Sequence, residues 1–392
     1  MQFFKNYVKK DYLEEPYIKK DPNGKEYIKD KTSFEFFRYH SLDKKTFDNL
    51  FQLHYGYQKY RVKEALKKKV NEFDQNKPQK SLFNNFKDAG YIVAHAMNTC
   101  SSKCILRGFA SKNQYKFKDE PADHELMILD PMYINRQNYF DTTKGINSIY
   151  RRCLYQKDTN EFAFEYGKQF LNQYRDENKV LYLEFTDGHE ITSEVVQYID
   201  DPMYKFLTDI EKDGHLQKDT MLYLLSDHGQ HLVSAFYLFN QIKAQNEEDE
   251  INDVYQTERM LPMFYMLVTN DLLKKHNDIA QNLESNSQSI FGMSELRETF
   301  LQNSFGIEKR KEMKKKEIEN QNNLIIYQNK KNQYALKQNP DAIVEELEFV
   351  KKEAEFSIFQ KLDDSRSCYD IGMTQLENPE RFCSCKPQKK IE

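Results

Sequence analysis

The sequence predicts an α/β fold, helices packed on a mostly parallel sheet. Three observations lead there. The apolar run "TMLYLLSDHGQH" (Thr220 to His231) reads as a buried strand that stops abruptly at Ser226-Asp227-His228-Gly229. A second run, "VLYLEFT" (Val180 to Thr186), stops in the same manner at Asp187-Gly188-His189-Glu190. Between them, Asp201 to Lys212 places Tyr204, Leu207 and Ile210 three apart, the period of a helix with one buried face, and "EKDGHLQKDT" breaks it before the next strand. Strand, helix and strand at this spacing form a crossover unit. A third apolar run, Leu261 to Thr269 ("LPMFYMLVT"), follows a polar stretch, and right-handed crossovers would set all three strands in one parallel sheet.

The carboxyl edge of such a sheet is where ligands bind, and a carboxylate beside an imidazole suits a divalent metal ion. Taken alone, Asp227 and His228 are equally well read as a strand-end turn with a capping Asp. Two strands that deliver acids and histidines to one edge favour the metal role. His189 is read as a ligand or substrate contact, against the plainer reading of a solvated turn. His231, on the segment leaving the strand, and His124, in "ADHE", are expected to be structural or on the surface.

The succession "LYLEFTDGHE", "TSEVVQYIDDPMYKFLTDIEKDGHLQKDTMLYLLSDHGQH" and "ERMLPMFYMLV" resembles the sulfatase-like branch of the alkaline-phosphatase superfamily, and within it the family DUF229. "LFNNFKDAGYIVAHAMN" (Leu82 to Asn98) looks like the helix and strand after the nucleophile of that family. "ADHELMILDPMY" (Ala122 to Tyr133) looks like an acidic turn, and "SIFQKLDDSRSCYDIGMTQLENPERFCSCK" like a cysteine-bearing tail. The resemblance implies an α/β/α sandwich, a divalent metal (zinc, manganese or magnesium) and a hydroxyl nucleophile.

Ser33 to Gly56 matches the upstream pattern of aromatic strand, loop, Thr, two residues, Asn and a helix leading to Gly. Thr46 is then the nucleophile and a metal ligand, since coordination to a cation stabilises the alkoxide of an otherwise weak hydroxyl. A helix starting near Thr46 would add backbone donors for an anionic ester, and Asn49, one turn later, would help to hold it. His189 would bind the metal or the substrate. Phe185 stands where two-metal relatives carry an acid, so one-metal and two-metal sites both remain open. "KKTFDN" lacks the Cys or Ser, Pro and Arg of formylglycine sulfatases, which favours phosphoryl over sulfuryl transfer. The resemblance also implies a first strand ending in a metal-binding Asp. Nothing before Thr46 fits it, because Asp11, Asp21 and Asp30 lie in charged surroundings, and the core is expected to lack that strand.

Composition agrees with an enzyme. The chain has 392 residues, 39% hydrophobic and 31% charged, enough for one large α/β core. A net charge of −4 argues against a nucleic-acid binder that works through a dominant basic surface. No run approaches the length of a membrane span, and "MQFFKNYVKKDY" has no apolar core for a secretory signal. The expected organisation is a core over 1–305, a polar Lys/Asn/Gln-rich insertion over 306–341, and a helix with the cysteine-bearing tail over 342–392. In that last part Ile343, Leu347 and Val350 would share one helix face. Cys100, Cys104, Cys153, Cys368, Cys383 and Cys385 are read as disulfide-forming rather than zinc-binding, with the pairing open.

The expectation is therefore a metal-dependent hydrolase or transferase acting through Thr46 on a phosphate, or sulfate, ester of a small molecule, lipid or glycan. By resemblance it would work in the secretory lumen or outside the cell. The alternative is a catalytically inactive member of the fold that serves as a binding or scaffold protein, for which the missing strand-end Asp speaks.

Overall fold

A computed structural model of the chain describes residues 2–5, 17–20, 26–43, 46–61, 80–98, 122–128, 153–189, 195–217, 219–230, 257–319, 324–327, 347–351, 356–368, 370, 371, 373 and 383. The described elements begin with α1 (Gln2–Lys5), a hairpin of β1 (Tyr17–Lys20) and β2 (Glu26–Lys29), β3 (Lys31–Glu35), α2 (Thr46–Tyr55) and β4 (Tyr57–Arg61). Then come α3 (Leu82–Asp88), β5 (Ile92–Met97), β6 (His124–Met127), the short pair β7 (Cys153–Leu154) and β8 (Lys157–Asp158), and α4 (Thr159–Gln173). β9 (Lys179–Glu184), α5 (Asp200–Lys212), β10 (Met221–Leu225) and β11 (Phe264–Thr269) follow. The chain continues through α6 (Asn270–Lys275), α7 (Asn277–Asn286), α8 (Met293–Phe305) and α9 (Ile307–Glu319) to β12 (Leu324–Tyr327) and β13 (Leu347–Lys351).

Local chemistry sets several of these boundaries. Ser81 opens α3 with a capping box: its hydroxyl accepts from the Asn84 N–H at 3.1 Å, and the Asn84 side chain accepts from the Ser81 N–H. Asp158 and Glu161 do the same for α4. α5 buries Phe206, Leu207 and Ile210, whereas Tyr204, expected on that face, is exposed. A period of 3.6 brings residue 206 rather than 204 over residue 210.

Two three-stranded sheets occupy the middle. In one, β5 lies between β6 and β9 and is parallel to both. In the other, β11 lies between β10 and β3 and is antiparallel to both. The expectation that the strands at 180, 220 and 261 share one parallel sheet is thus corrected. The chain re-enters the second sheet at the end where β10 leaves it, so Phe264 pairs with Leu225 and the Ser226 N–H donates to the Met263 carbonyl at 3.0 Å. A return at the same end makes the pair antiparallel. The "acidic turn" at Ala122 to Tyr133 contains β6, and His124 is structural, with its Nε2 2.8 Å from the Tyr174 hydroxyl.

Both faces of the strands are covered. On one side Val180 and Tyr182 of β9, and Met221, Tyr223 and Leu225 of β10, pack against a core of Phe36, Tyr39, Phe51, Phe83, Phe264 and Phe291. On the other, Leu181 and Leu183 of β9, and Leu222 and Leu224 of β10, pack against Phe164, Phe206, Leu207 and Ile210. Helices thus lie on both faces, an α/β arrangement. The alternation follows directly from the two-residue period of a strand.

α8 ties the polar interior together. The Arg297 guanidinium donates to the Leu53 and His54 carbonyls at 3.2 and 2.9 Å, where the last turn of α2 leaves carbonyls unpaired. Glu298 receives Arg310 of α9 through Nε at 3.0 Å and Nη2 at 2.8 Å. Arg310 is 2% exposed, so the lysine-rich tract begins as a helix anchored in the interior. Residues 347–351 are a strand, not the helix expected from the spacing of Leu347 and Val350, because they ladder with β4 and β12. Ile343 lies outside the described residues. In the tail, Asn286 holds the Ile358 and Gln360 carbonyls and the Leu362 N–H, and Cys368 is joined to Cys383. Cys153 is an exposed thiol; Cys100, Cys104 and Cys385 lie outside the described residues.

Removing one partner of a buried ion pair strands the other. Glu298→Ala is expected to lower unfolding stability by about 3–5 kcal/mol, seen as a fall in the urea midpoint at unchanged slope. A change within the scatter of surface substitutions would mean that Arg310 reaches water in solution.

Candidate functional site

Backbone pairing builds the site from three segments. The Ser41 N–H donates to the Met260 carbonyl, and the Gly229 N–H to the neighbouring Arg259 carbonyl, each at 2.8 Å. Residues 259–260 therefore clip the loop before α2 to the loop after β10. The approach is so close that a Cβ on Gly229 would lie 2.0 Å from the Glu258 carbonyl oxygen and 2.8 Å from the Arg259 Cα. Only glycine fits.

The clip puts two distant side chains in contact. Thr46, the first residue of α2, has its hydroxyl oxygen 3.0 Å from Nε2 of His228. Nδ1 of His228 lies 2.7 Å from the Gly229 carbonyl, an acceptor only, so Nδ1 carries the proton and Nε2 of the neutral ring presents a lone pair. The Thr46 hydroxyl then donates to that lone pair. Oδ2 of Asp227 lies 3.4 Å from the same Nε2, is buried, and has no hydrogen-bond partner among the described residues. A lone pair, a hydroxyl oxygen and an orphaned carboxylate oxygen thus converge on one point.

Neighbouring phenols feel this charge. Burial, and then the Asp227 carboxylate, push the Tyr39 hydroxyl well above its ordinary range. Burial raises Tyr182 as well, with Glu184, Asp227 and Tyr39 adding to it. Both phenols stay neutral at any working pH, so neither offsets the carboxylate. A cation would. Neither phenol was singled out by the motifs. The available signal was the parity of Tyr182 in β9, which sends it to the same face as Val180.

The other expected residues are placed as follows. Asn49 is fully buried; its side-chain carbonyl accepts from the Leu42 and Asp43 N–H groups at 2.8 and 3.2 Å, and its amino group donates to the Asp43 carbonyl at 2.6 Å. It braces the loop that precedes Thr46. His189 sits in the turn after β9, its N–H donating to the Thr186 carbonyl. Asp187 of that turn is buried and receives the Asn98 and Asn160 amides at 2.6 and 3.3 Å, so it organises the loop. His231 lies outside the described residues. Among the described residues no three His, Cys, Asp or Glu side chains gather as a metal cluster; the third polar atom beside Asp227 and His228 is the Thr46 hydroxyl oxygen.

Fold and site together define an α/β protein with a threonine–histidine–aspartate cluster where α2 meets the end of β10. The chain belongs to the family described as a protein of unknown function, DUF229, whose model matches residues 18–392. No curated protein matches the chain. Solved structures similar to it include the C-terminal periplasmic domain of a phosphoethanolamine transferase from Campylobacter jejuni, at 11% identity over 69% of this chain and 76% of that one, TM-score 0.39. The soluble domain of lipooligosaccharide phosphoethanolamine transferase A from Neisseria meningitidis matches at 11% identity over 70% and 77%, TM-score 0.38. An alkaline-phosphatase-superfamily protein from Vibrio parahaemolyticus matches at 10% identity over 76% and 64%, TM-score 0.41. These likenesses are shallow.

Gly229→Ala is expected to lose about 1–3 kcal/mol of stability, since the displaced atoms are backbone and cannot rotate away. The same displacement separates Thr46 from His228. Thermal unfolding at wild-type temperature would show that the clip is loose.

Acid adds a second expectation. Burial lowers His40 to about 4 and His54 to about 3, from 6.5. The unfolded chain therefore binds more protons between those values, and the contribution of each ring is complete above about 6.5 and lost as pH falls. Stability should drop by about 1.4 kcal/mol per pH unit for each histidine between pH 6 and 5. A urea midpoint that holds constant over that interval would show that both rings are accessible.

Proposed function

We propose that the chain is a metal-assisted phosphate-ester hydrolase or phosphotransferase with Thr46 as nucleophile. One observation carries this reading: the Thr46 oxygen and the His228 Nε2 lone pair, 3.0 Å apart, beside the orphaned Oδ2 of Asp227. The donor set fits a divalent ion such as zinc, manganese or magnesium, which Asp227, His228 and Thr46 would hold. When bound, it would supply stabilisation of the Thr46 alkoxide and of the charge on the non-bridging oxygens.

The remaining roles belong to the chain's own residues. The Gly229 carbonyl keeps the proton on Nδ1 of His228 and thereby keeps Nε2 available. Asn49 holds residues 42 and 43 in place ahead of Thr46 and so fixes the entry to the helix. The Thr46 hydroxyl gives up its proton to solvent, its oxygen attacks phosphorus, the Thr46–phosphorus bond forms, and the ester oxygen leaves with the phosphorus–oxygen electron pair and takes a proton from water. Water or an alcohol then takes the phosphoryl group, giving phosphate or a new ester and restoring Thr46. His189, at the end of the neighbouring strand, is assigned to the substrate or the metal. The Cys368–Cys383 bond supports work in an oxidising compartment. Among the described residues no helix is long and apolar enough to cross a membrane.

The rival reading, an inactive scaffold, is favoured by the absence of a three-residue His, Cys, Asp or Glu cluster among the described residues. Calorimetric titration with manganese and zinc, together with turnover of phosphate monoesters and diesters, separates the two. Wild type is expected to bind metal and turn over. Asp227→Asn should weaken metal binding by about a hundredfold or more, a loss as large as supporting residues alone can cause. Thr46→Ala should keep some metal affinity and lose turnover. No metal uptake by wild type, with Asp227→Asn unchanged, establishes the scaffold.

A further inference from the structure

The Cys368–Cys383 bond sits against the backbone clip that brings Thr46 to His228. Both sulfurs belong to a small apolar cluster with Leu42, Met260, Ile290, Ile371 and Met373. Leu42 and Met260 come from the clip's own segments: the Ser41 N–H donates to the Met260 carbonyl at 2.8 Å, and the Leu42 N–H donates to Asn49 of α2 at 2.8 Å. The Cys368 sulfur also stands 3.8 Å from Nε2 of His40, whose Nδ1 lies 2.6 Å from the Ser41 carbonyl. Loop 40–42 thus touches the bond and the clip at once.

The tail has other attachments that need no sulfur. Arg366 donates to the Ile290 carbonyl at 3.1 Å and to the Glu295 carboxylate, and Asn286 holds Ile358, Gln360 and Leu362. The bond spans 15 residues of sequence, all beyond Arg366, so breaking it frees a short segment and leaves the rest docked. Its cluster is separate from the two main cores, and small satellite clusters open locally where a core does not. Two thiols also need more room than one disulfide, because their sulfurs stand at van der Waals rather than bonding distance, and close packing passes that displacement to the neighbours.

We infer that this bond is a redox latch on the site, which is assembled when the two cysteines are joined and opens when they are reduced. The reductant is a dithiol. Its thiolate attacks the half-buried Cys383 sulfur, and the buried Cys368 sulfur leaves with the bonding electron pair. The reductant's second thiol then resolves the mixed disulfide, so two electrons and two protons pass to the cysteines and the dithiol closes to its own disulfide. Residues 368–373 lose their covalent anchor, the packing on Leu42 and Met260 loosens, and the Ser41–Met260 and Gly229–Arg259 hydrogen bonds open with it. A chain in a reducing compartment thereby carries an unassembled site. The inference uses no metal and no step of the proposed catalysis, so the two readings fail separately.

Hydrogen exchange of the full chain, with and without dithiothreitol, tests it amide by amide, with alkylation and mass measurement to confirm that Cys368 and Cys383 are reduced. Reduction should speed exchange of the Ser41 and Gly229 amides at least about tenfold and leave the amides of 92–97 in β5 within about twofold. Cys383→Ala should reproduce the faster exchange without reductant, and dithiothreitol should then add nothing at Ser41 and Gly229. That variant separates this bond from any other cysteine the reagent reaches. Unchanged exchange at Ser41 and Gly229 on reduction overturns the latch, as does a Cys383→Ala chain that exchanges like the oxidised wild type. Equal acceleration in β5, or a Cys383→Ala chain that does not fold, overturns it too, because the bond would then support the whole fold.

Discussion

The contact between Thr46 and His228 depends on the passage of residues 258–260 beneath Gly229. Thr46 begins a helix that follows β3, and His228 follows β10; these strands are separated by β11 and never touch. What unites their loops is a backbone clip, the Arg259 and Met260 carbonyls accepting from Gly229 and Ser41. Main-chain hydrogen bonds suit this task because they do not depend on rotamers. The absence of a Cβ at Gly229 lets the clip close to a distance that no other residue permits. Asn49 completes the arrangement from within α2 by tying the loop to the first turn of the helix.

Around this clip several buried polar groups are satisfied through α7, α8 and the tail. Arg297 closes the end of α2, Arg310 neutralises Glu298, and Asn286 satisfies three backbone groups of the segment from Ile358 to Leu362. Such groups contribute specificity more than net stability, since replacing a buried pair with apolar residues is often neutral while halving it is costly. Their effect is to fix how α2 sits. Among the buried polar atoms with no hydrogen-bond partner in the described residues, Asp227 Oδ2 and the ring nitrogens of His54 and His95 lie next to Tyr182 or its neighbours, where β9 meets the first core.

Much of this was legible in the residues. Apolar runs that end in Asp-His or Asp-Gly-His located β9, β10 and the polar edge, and the Thr-x-x-Asn pattern located the start of α2. Direction was not legible: an apolar run such as Leu261 to Thr269 carries no sign of whether it runs with or against its neighbour. Nor were the partners of side chains that meet over long separations. Asn49 was visible as a residue, but its acceptance of two loop N–H groups depends on a backbone course that the motif does not encode. Leu347 and Val350 satisfy a helical spacing as well as a strand, and laddering with β4, far earlier in the chain, decides between them. Lys-rich composition suggested a solvated tract, and one buried Arg310, reaching back to Glu298, anchors its beginning.

The placement of β9 and β10 bears on the site through geometry. Each strand ends in a loop that carries candidate functional groups, Asp187 to His189 after β9 and Asp227 to His228 after β10. The second is fixed by the clip; the first is fixed by Asn98 and Asn160 to β5 and α4. Among the described residues no sheet ladder joins the two halves between these loops, and both pack on the same two cores. His189 and Asp227 are thus held from different sheets, each by the contacts of its own loop, and any ion or substrate they share would bridge the two sheets.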